Sequence, residues 1–502
     1  CLVRFQRKLD CEALVESEIG FGLWLNALPL NYHPIADYTS KRSIRILASD
    51  IVHFLPIFDS YRGSPPAEAQ SLFLSRENGL VPFNLKSTGN SHMVAVLGDT
   101  GSAKSGQVIK ILLGELRRDP RPMIFVIDYK TSYGMLSQYL PSELTTFERG
   151  KPMPFSPFRG ELNEDKLRFL VQLLASAMQL TSPQFQLESE HRTCLSQAIQ
   201  TAYQMKIKSA GVKYEAGQLV DSPTQVEPQV ILDDIVSALG GLTAQVEFEK
   251  YGQFVDEIAK KLRPFYSDGI YAPFFKSTVQ PKVDQNADLF VYDLDALASD
   301  PILQTLVTMS VIEEIRRKIT AIAGRNRGGF IVIEELGMMG RNNPVAKDFV
   351  IDAAETFRKL GFFLIGLTPN PQNYFTLEAG KAMWAVADHY LFLAMKEDNV
   401  DFIAKNSGLL DEAAVQIVKS LVTVRGQYAD SFYIHKNKTV SGAFRSVPSA
   451  HEMWLMPTHQ PDALEAQRTI QRFPGDPGSA LEDLVSRFPQ GTKDVQKNGG
   501  SG

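Results

Sequence analysis

The chain has 502 residues, 44% of them hydrophobic and 22% charged, which is enough for one large elaborated domain with smaller appendages. Its 52 Lys and Arg against 57 Asp and Glu leave a net charge of −5, so no global basic field draws it to nucleic acid or anionic lipid. No apolar run approaches the ~20 residues of a spanning helix, and Cys1, Cys11 and Cys194 form no CxxC or Cys/His ligand spacing, which points to a soluble protein of a reducing, intracellular compartment.

Residues 1–90 mix short apolar runs, such as Phe21–Leu25 and Ile51–Pro56, with Pro and Gly. They read as a lead-in region left from a truncated N-terminal domain, since the chain opens at Cys1 without an initiator Met. Within it Glu77–Asn84 reads as a hairpin turning at Asn78-Gly79, pairing strands next to the core that follows. That core opens in residues 91–161. Val94–Leu97 is a short apolar strand covered on both faces, Gly98–Ser105 a loop, and Lys104–Leu116 a helix with Val108, Ile109, Leu112, Leu113 and Leu116 apolar. Met123–Asp128 supplies a second buried strand with an acid at its end, and strands followed by helices indicate a parallel sheet with crossovers.

Residues 162–286 read as an all-α insertion, its first helix carrying Leu167, Leu170, Val171, Leu174 and Met178 on one side and residues 206–226 forming an exposed loop. Residues 287–456 resume the core with strands over Asp288–Asp293, Gly328–Glu335, Phe362–Thr368 and Tyr390–Ala394, and helices over 302–322 and 347–360. A hairpin around Gly426 makes the sheet mixed at one edge. From Pro457 the sequence is polar and punctuated by Pro and Gly, reading as an extended tail with one amphipathic stretch, Ala480–Phe488, and a flexible end over Lys497–Gly502.

The segment Gly98-Asp99-Thr100-Gly101-Ser102-Ala103-Lys104-Ser105 carries the chemistry. A phosphate-binding loop wants Gly, four residues, Gly, Lys and Ser or Thr, because backbone N–H groups at a helix start surround the phosphates, the lysine neutralises the β- and γ-oxygens and the hydroxyl joins Mg²⁺. Lys104 and Ser105 stand in those places, while Ala103 replaces the second glycine and must either hold a negative φ or fit nucleotide less closely. Glu334-Glu335 end an apolar strand read as lying beside this loop: the first acid orients Mg²⁺, and Glu335 polarises the attacking water. Asp128 reads equally as a polar group near the nucleotide or a strand-end cap. Arg358-Lys359 reads, from spacing alone, as the solvated end of a helix.

Together with Phe125–Gly134, Asp288–Leu297 and Glu355–Gly361, these motifs resemble the cytoplasmic ATPases of type IV secretion and conjugation machines, the TraC-like class of the VirB apparatus. The likeness spans roughly residues 50 to 455, and the type IVB branch is the subfamily it suggests. It implies a RecA-like P-loop NTPase core, α/β with a mostly parallel sheet and an all-α insertion, using ATP and Mg²⁺. It implies a hexamer, or a hexamer of dimers, at the inner face of a bacterial membrane, working with other secretion-system ATPases and inner-membrane subunits on a protein or protein–DNA substrate. It also moves Arg358 toward a finger reaching a neighbouring subunit's γ-phosphate. Three positions depart from the pattern: Ala103 for Gly, Glu334 for Asp, and Thr368-Pro369-Asn370 where a γ-phosphate-sensing Gln is usual, with Gln372 further on. They imply weak or partner-dependent hydrolysis. The alternatives are a structural ring component that binds nucleotide with little or no turnover, and a DNA-translocating relative such as a coupling protein.

Overall fold

The computed structural model describes residues 61–87, 92–209, 214–215, 218–219, 229–244, 250–279, 287–322, 327–341, 343–438, 440–457, 460–489 and 491–492. The runs Phe21–Leu25 and Ile51–Pro56, much of the 206–226 loop and the Lys497–Gly502 end lie outside them. Packing divides the chain at residue 59, and every element below belongs to the unit 60–502.

Five apolar runs form the parallel centre of one sheet: β3 (Met93–Leu97), β4 (Met123–Asp128), β6 (Leu289–Asp293), β7 (Gly329–Ile333) and β8 (Phe362–Thr368). A polar run, β5 (Ser142–Thr146), closes one edge beside β6. On the other side β9 (His389–Leu393) is parallel to β3, and beyond it β11 (Tyr428–His435), β12 (Ser441–Ser446), β1 (Ser71–Leu74) and β2 (Leu80–Phe83) follow antiparallel. The short β10 (Thr423–Val424) pairs β11 across a turn with Gly426 at φ +70°. The order is β2-β1-β12-β11-β9-β3-β8-β7-β4-β6-β5.

Alternation along each central strand splits the core in two. Met93, Ala95, Leu97, Phe125, Ile127, Ile331 and Ile333 face the insertion helices α2 (Glu164–Thr181), α3 (Ser189–Ser209), α4 (Leu232–Leu242) and α5 (Gly252–Leu262), and the core helices α6 (Pro301–Ile322) and α7 (Pro344–Glu355). Val94, Val96, Ile124, Val126 and Val332 face α1 (Lys104–Glu115), whose Val108, Ile109 and Leu112 are buried. The apolar stripe foreseen on α2 is buried at Leu170, Val171, Leu174 and Met178. The insertion is helical among the described residues apart from a two-residue strand pair, Tyr214–Glu215 with Gln218–Leu219. No helix among the described residues is long and apolar enough to cross a membrane.

The Asn78-Gly79 hairpin forms as foreseen, and β1 joins the core sheet through β12 at its antiparallel edge. Two features differ from the sequence reading. The acid-bearing strand β7 is not the neighbour of β3: β8 lies between them. And residues 460–487 are not an extended tail, because α12 (Gln460–Arg472) and α13 (Pro477–Arg487) pack Ala466, Ala480 and Leu484 against α11 (Ala450–Leu455) and its buried Trp454.

Candidate functional site

Register levels the carboxyl ends of the parallel strands. Leu97 of β3 pairs Thr368 of β8, Gly366 pairs Ile333 of β7, Ile333 pairs Ile127 of β4, and Asp128 pairs Asp293 of β6. The loops leaving these strands therefore share one edge, where open α/β sheets bind ligands. A Cβ at Gly98 would lie 2.5 Å from Ser102 Oγ and 2.9 Å from Leu393 Cβ, so a side chain there would force its neighbours to shift. Gly101 turns the loop at φ +84° with open space where a side chain would project. Asp99 anchors the loop, accepting the Lys396 backbone N–H at 2.8 Å and the Asn399 amide at 2.9 Å from the start of α9 (Glu397–Ser407). Thr423 Oγ1 donates to the Ser102 carbonyl at 3.2 Å.

Ala103 does not take a negative φ: it sits at φ 67° and ψ 30°, the left-handed conformation that the missing glycine would adopt without steric cost. The loop keeps its shape and the alanine bears the strain. Ala103→Gly should relieve about 1–2 kcal/mol of left-handed strain and return about 0.4–1 kcal/mol as unfolded-chain entropy. A net gain of roughly 0.5–1 kcal/mol is expected in a denaturation midpoint; an unchanged or lowered midpoint would show that Ala103 is unstrained.

Lys104 Nζ donates to the carbonyls of Gly98 at 2.7 Å and Asp99 at 2.9 Å, so the loop's own oxygens hold its ammonium. Burial lowers its pKa to about 8, against the pull of Glu335. Ser105 Oγ donates to Glu334 Oε2 at 2.7 Å, while Oε1 of that carboxyl is buried without a donor at bonding geometry. Burial, then the charge of Asp128, pushes Glu334 up from 4.5 to about 7. Asp128 is the strand-end cap that was one of its two readings. It caps the strand end, accepting the N–H groups of Lys130 and Tyr133 at 3.0 Å each, and it is an electrostatic neighbour of Glu334, itself raised to about 6 by burial.

A divalent cation fits here. The Glu334 carboxyl and the Ser105 hydroxyl, in contact at 2.7 Å, are hard oxygen donors, and the cation's charge would let both raised carboxyls ionise. Among the described residues no cluster of three or more His, Cys, Asp or Glu forms a metal site alone, and Mg²⁺ commonly binds through one or two carboxylates with water and substrate phosphates. Without ligand, the folded state holds a proton on Glu334 that the unfolded chain releases. The stability this confers is complete below about 4.5 and is lost as pH rises through about 7. Melting curves of wild type and Glu334→Gln from pH 5 to 8 should therefore diverge, the wild type losing stability relative to the variant; parallel curves would place the Glu334 pKa in its ordinary range.

The model of a family, the TraG P-loop domain, matches residues 80–486 of this chain. The chain belongs to that family. The resemblance drawn from its motifs is borne out, as is the α/β P-loop NTPase core with a mostly parallel sheet. In fold this TraG P-loop domain is similar to VirB4 of Thermoanaerobacter pseudethanolicus, at 18% identity and a TM-score of 0.60 over 78% of this chain and 100% of that one. Plasmid coupling protein TrwB, in complex with ADP and Mg²⁺, matches at 10% identity and a TM-score of 0.48 over 79% of this chain and 92% of that one. No curated protein sequence matches.

In this TraG P-loop domain the loop and the acids open into a cleft of about 1680 Å³, roofed by the β10–β11 turn and by Met453, Met456, Asp462, Gln467 and Gln471 of the C-terminal helical segment. Glu335 faces it, with Oε2 3.1 Å from Lys130 Nζ and Oε1 3.5 Å from Thr368 Oγ1. Thr368 in turn accepts from the Asn373 amide at 2.9 Å, so Asn373 and not the exposed Gln372 connects to the acid. Lys130, Asn373 and the anchoring role of Asp99 escaped the sequence reading, in which Thr368 stood only as the strand end where a γ-phosphate-sensing Gln is usual. Lys130 and Asp99 follow strand ends and have partners 205 and 300 residues away, while Asn373 reaches Thr368 from the short helix that follows β8.

Arg358 is not brought to this edge. It lies exposed in the 3-10 turn Phe357–Leu360 that enters β8 from its amino end, where its charge helps lower the pKa of His92, which burial lowers first. The seven residues of β8 separate it from the phosphate loop by about 20 Å at ~3.3 Å per residue.

Proposed function

We propose that this chain is an ATPase of a bacterial type IV secretion or conjugation system, whose hydrolysis drives apparatus assembly or substrate transfer. The observation that carries the reading is the meeting of Lys104, Ser105, Glu334 and Glu335 on one cleft, with Ser105 and Glu334 in contact at 2.7 Å. Family membership supports the nucleotide. Lys104 exchanges its loop carbonyls for phosphate oxygens, the loop's N–H groups cradle the remaining oxygens, and Glu335 receives a proton from the attacking water. Ser105 and Glu334 would hold Mg²⁺, which would supply charge neutralisation of the phosphates.

The missing catalytic cation comes from a second copy of the chain, whose Arg358 reaches the site in trans. The working form is thus a ring, a hexamer or hexamer of dimers, held at the cytoplasmic face of the inner membrane by partner subunits and other secretion ATPases, and handling a protein or protein–DNA substrate. The strained Ala103 favours one second reading, a ring component that binds nucleotide with little turnover. Purified protein with Mg²⁺-ATP separates the two: phosphate release lost in Lys104→Ala is expected. Equal background release from wild type and variant at every protein concentration would assign the second reading.

A further inference from the structure

Lys130 follows β4 on a loop whose shape is tightly specified. Asp128 accepts the N–H groups of Lys130 and Tyr133, and Thr131 between them is held at φ +55°. A β-branched residue in the left-handed region is a genuine outlier, and such strain persists only where the surroundings over-determine it. The outcome of this geometry is the aim of one side chain. Lys130 Nζ lies 3.1 Å from Glu335 Oε2, with Lys130 56% and Glu335 10% exposed, so a solvated cation reaches in to hold a sheltered carboxylate. The other oxygen of Glu335 is held far less firmly. Thr368 Oγ1 is 3.5 Å from it, and that hydroxyl's single proton has a nearer acceptor in the Asn370 carbonyl at 3.1 Å. The charge-assisted bond from Lys130 is therefore the one that fixes the carboxylate.

We propose that Lys130 is a positioning residue for hydrolysis, holding the Glu335 carboxylate at the cleft in the orientation that receives a proton from water. The proposal rests on the ATPase reading above. It separates Lys130 from Lys104: one ammonium lies on the phosphate loop and serves binding, while the other orients the base and serves only the chemical step.

The test uses the full chain, assembled, as wild type, Lys130→Met and Lys130→Arg. In Lys130→Met kcat should fall on the order of tenfold or more, because a misaimed base loses reactive geometry, with KM for ATP and the affinity for fluorescent ADP staying near wild type. Lys130→Arg should recover most of the loss. A readout independent of turnover is the affinity for ADP with aluminium fluoride, which should weaken in Lys130→Met by the same factor as kcat. Unchanged kcat in Lys130→Met would overturn the proposal. So would a loss of ADP affinity as large as the loss of kcat, which would make Lys130 a phosphate ligand. Phosphate release absent from the wild type itself would overturn the ATPase reading and the positioning role with it.

Discussion

Glu335→Gln should cut ATP turnover by on the order of 10²- to 10⁴-fold, the span of a lost general base, and leave nucleotide affinity close to that of the wild type. The variant keeps the shape of the side chain and one oxygen for Lys130, whose Nζ lies 3.1 Å from the carboxylate, but it cannot accept a proton from water. Binding rests on other groups: the loop amides, Lys104 and the Ser105–Glu334 pair. The neighbouring Glu334 is poorly placed to substitute, because burial and Asp128 raise its pKa to about 7 and one of its oxygens is already engaged by Ser105. Steady-state kcat and the Kd of a fluorescent ATP analogue, measured on the same preparation, check both halves. A variant with near wild-type turnover would move the base elsewhere in the cleft. One that loses affinity in step with turnover would make Glu335 part of the binding shell.

Arg358→Ala should have the other large effect, a loss on the order of 10³-fold or more, as for a cation that neutralises a phosphoryl-transfer transition state. The sign of the effect alone does not reveal where the residue acts. Arg358 enters β8 at the amino end while Lys104 leaves β3 at the carboxyl end of the same parallel pair, so the finger role proposed for Arg358 requires a second copy of the chain. Mixing Arg358→Ala with Lys104→Ala should therefore restore activity that neither variant has, since mixed rings contain interfaces with one intact Lys104 and one intact Arg358. A mixture as inactive as its components would remove the finger role.

Much of this site could be read from residue order. The central strands are continuous apolar runs because both faces are covered, and each run ends at the residue that matters: Leu97 before the loop, Asp128, Ile333 before Glu334, and Thr368. What was illegible is pairing. Nothing local says that β8 inserts between β3 and β7, yet that insertion places Thr368 against Glu335. Likewise β5 carries no apolar signal, because Ser142, Glu143 and Thr145 are polar, as an edge strand with little burial permits. In the C-terminal segment Pro461 and Pro477 look like breaks, but Pro477 occupies the first turn of α13, where a missing N–H costs nothing, and the helices bury small side chains such as Ala466 and Ala480 that carry little apolar signal. Ala103 could be flagged from the motif, but only the backbone shows that it holds the glycine's conformation.

The central claim is an ATP site built around Lys104 and Glu335 and completed by Arg358 of another copy. Its most direct test is the specific rate of phosphate release from Mg²⁺-ATP measured across protein concentration. The rate per subunit should rise steeply as rings assemble and then level off, with Arg358→Ala remaining at the bottom of the curve throughout. A rate per subunit that is constant with concentration, or absent at all of them, would contradict it.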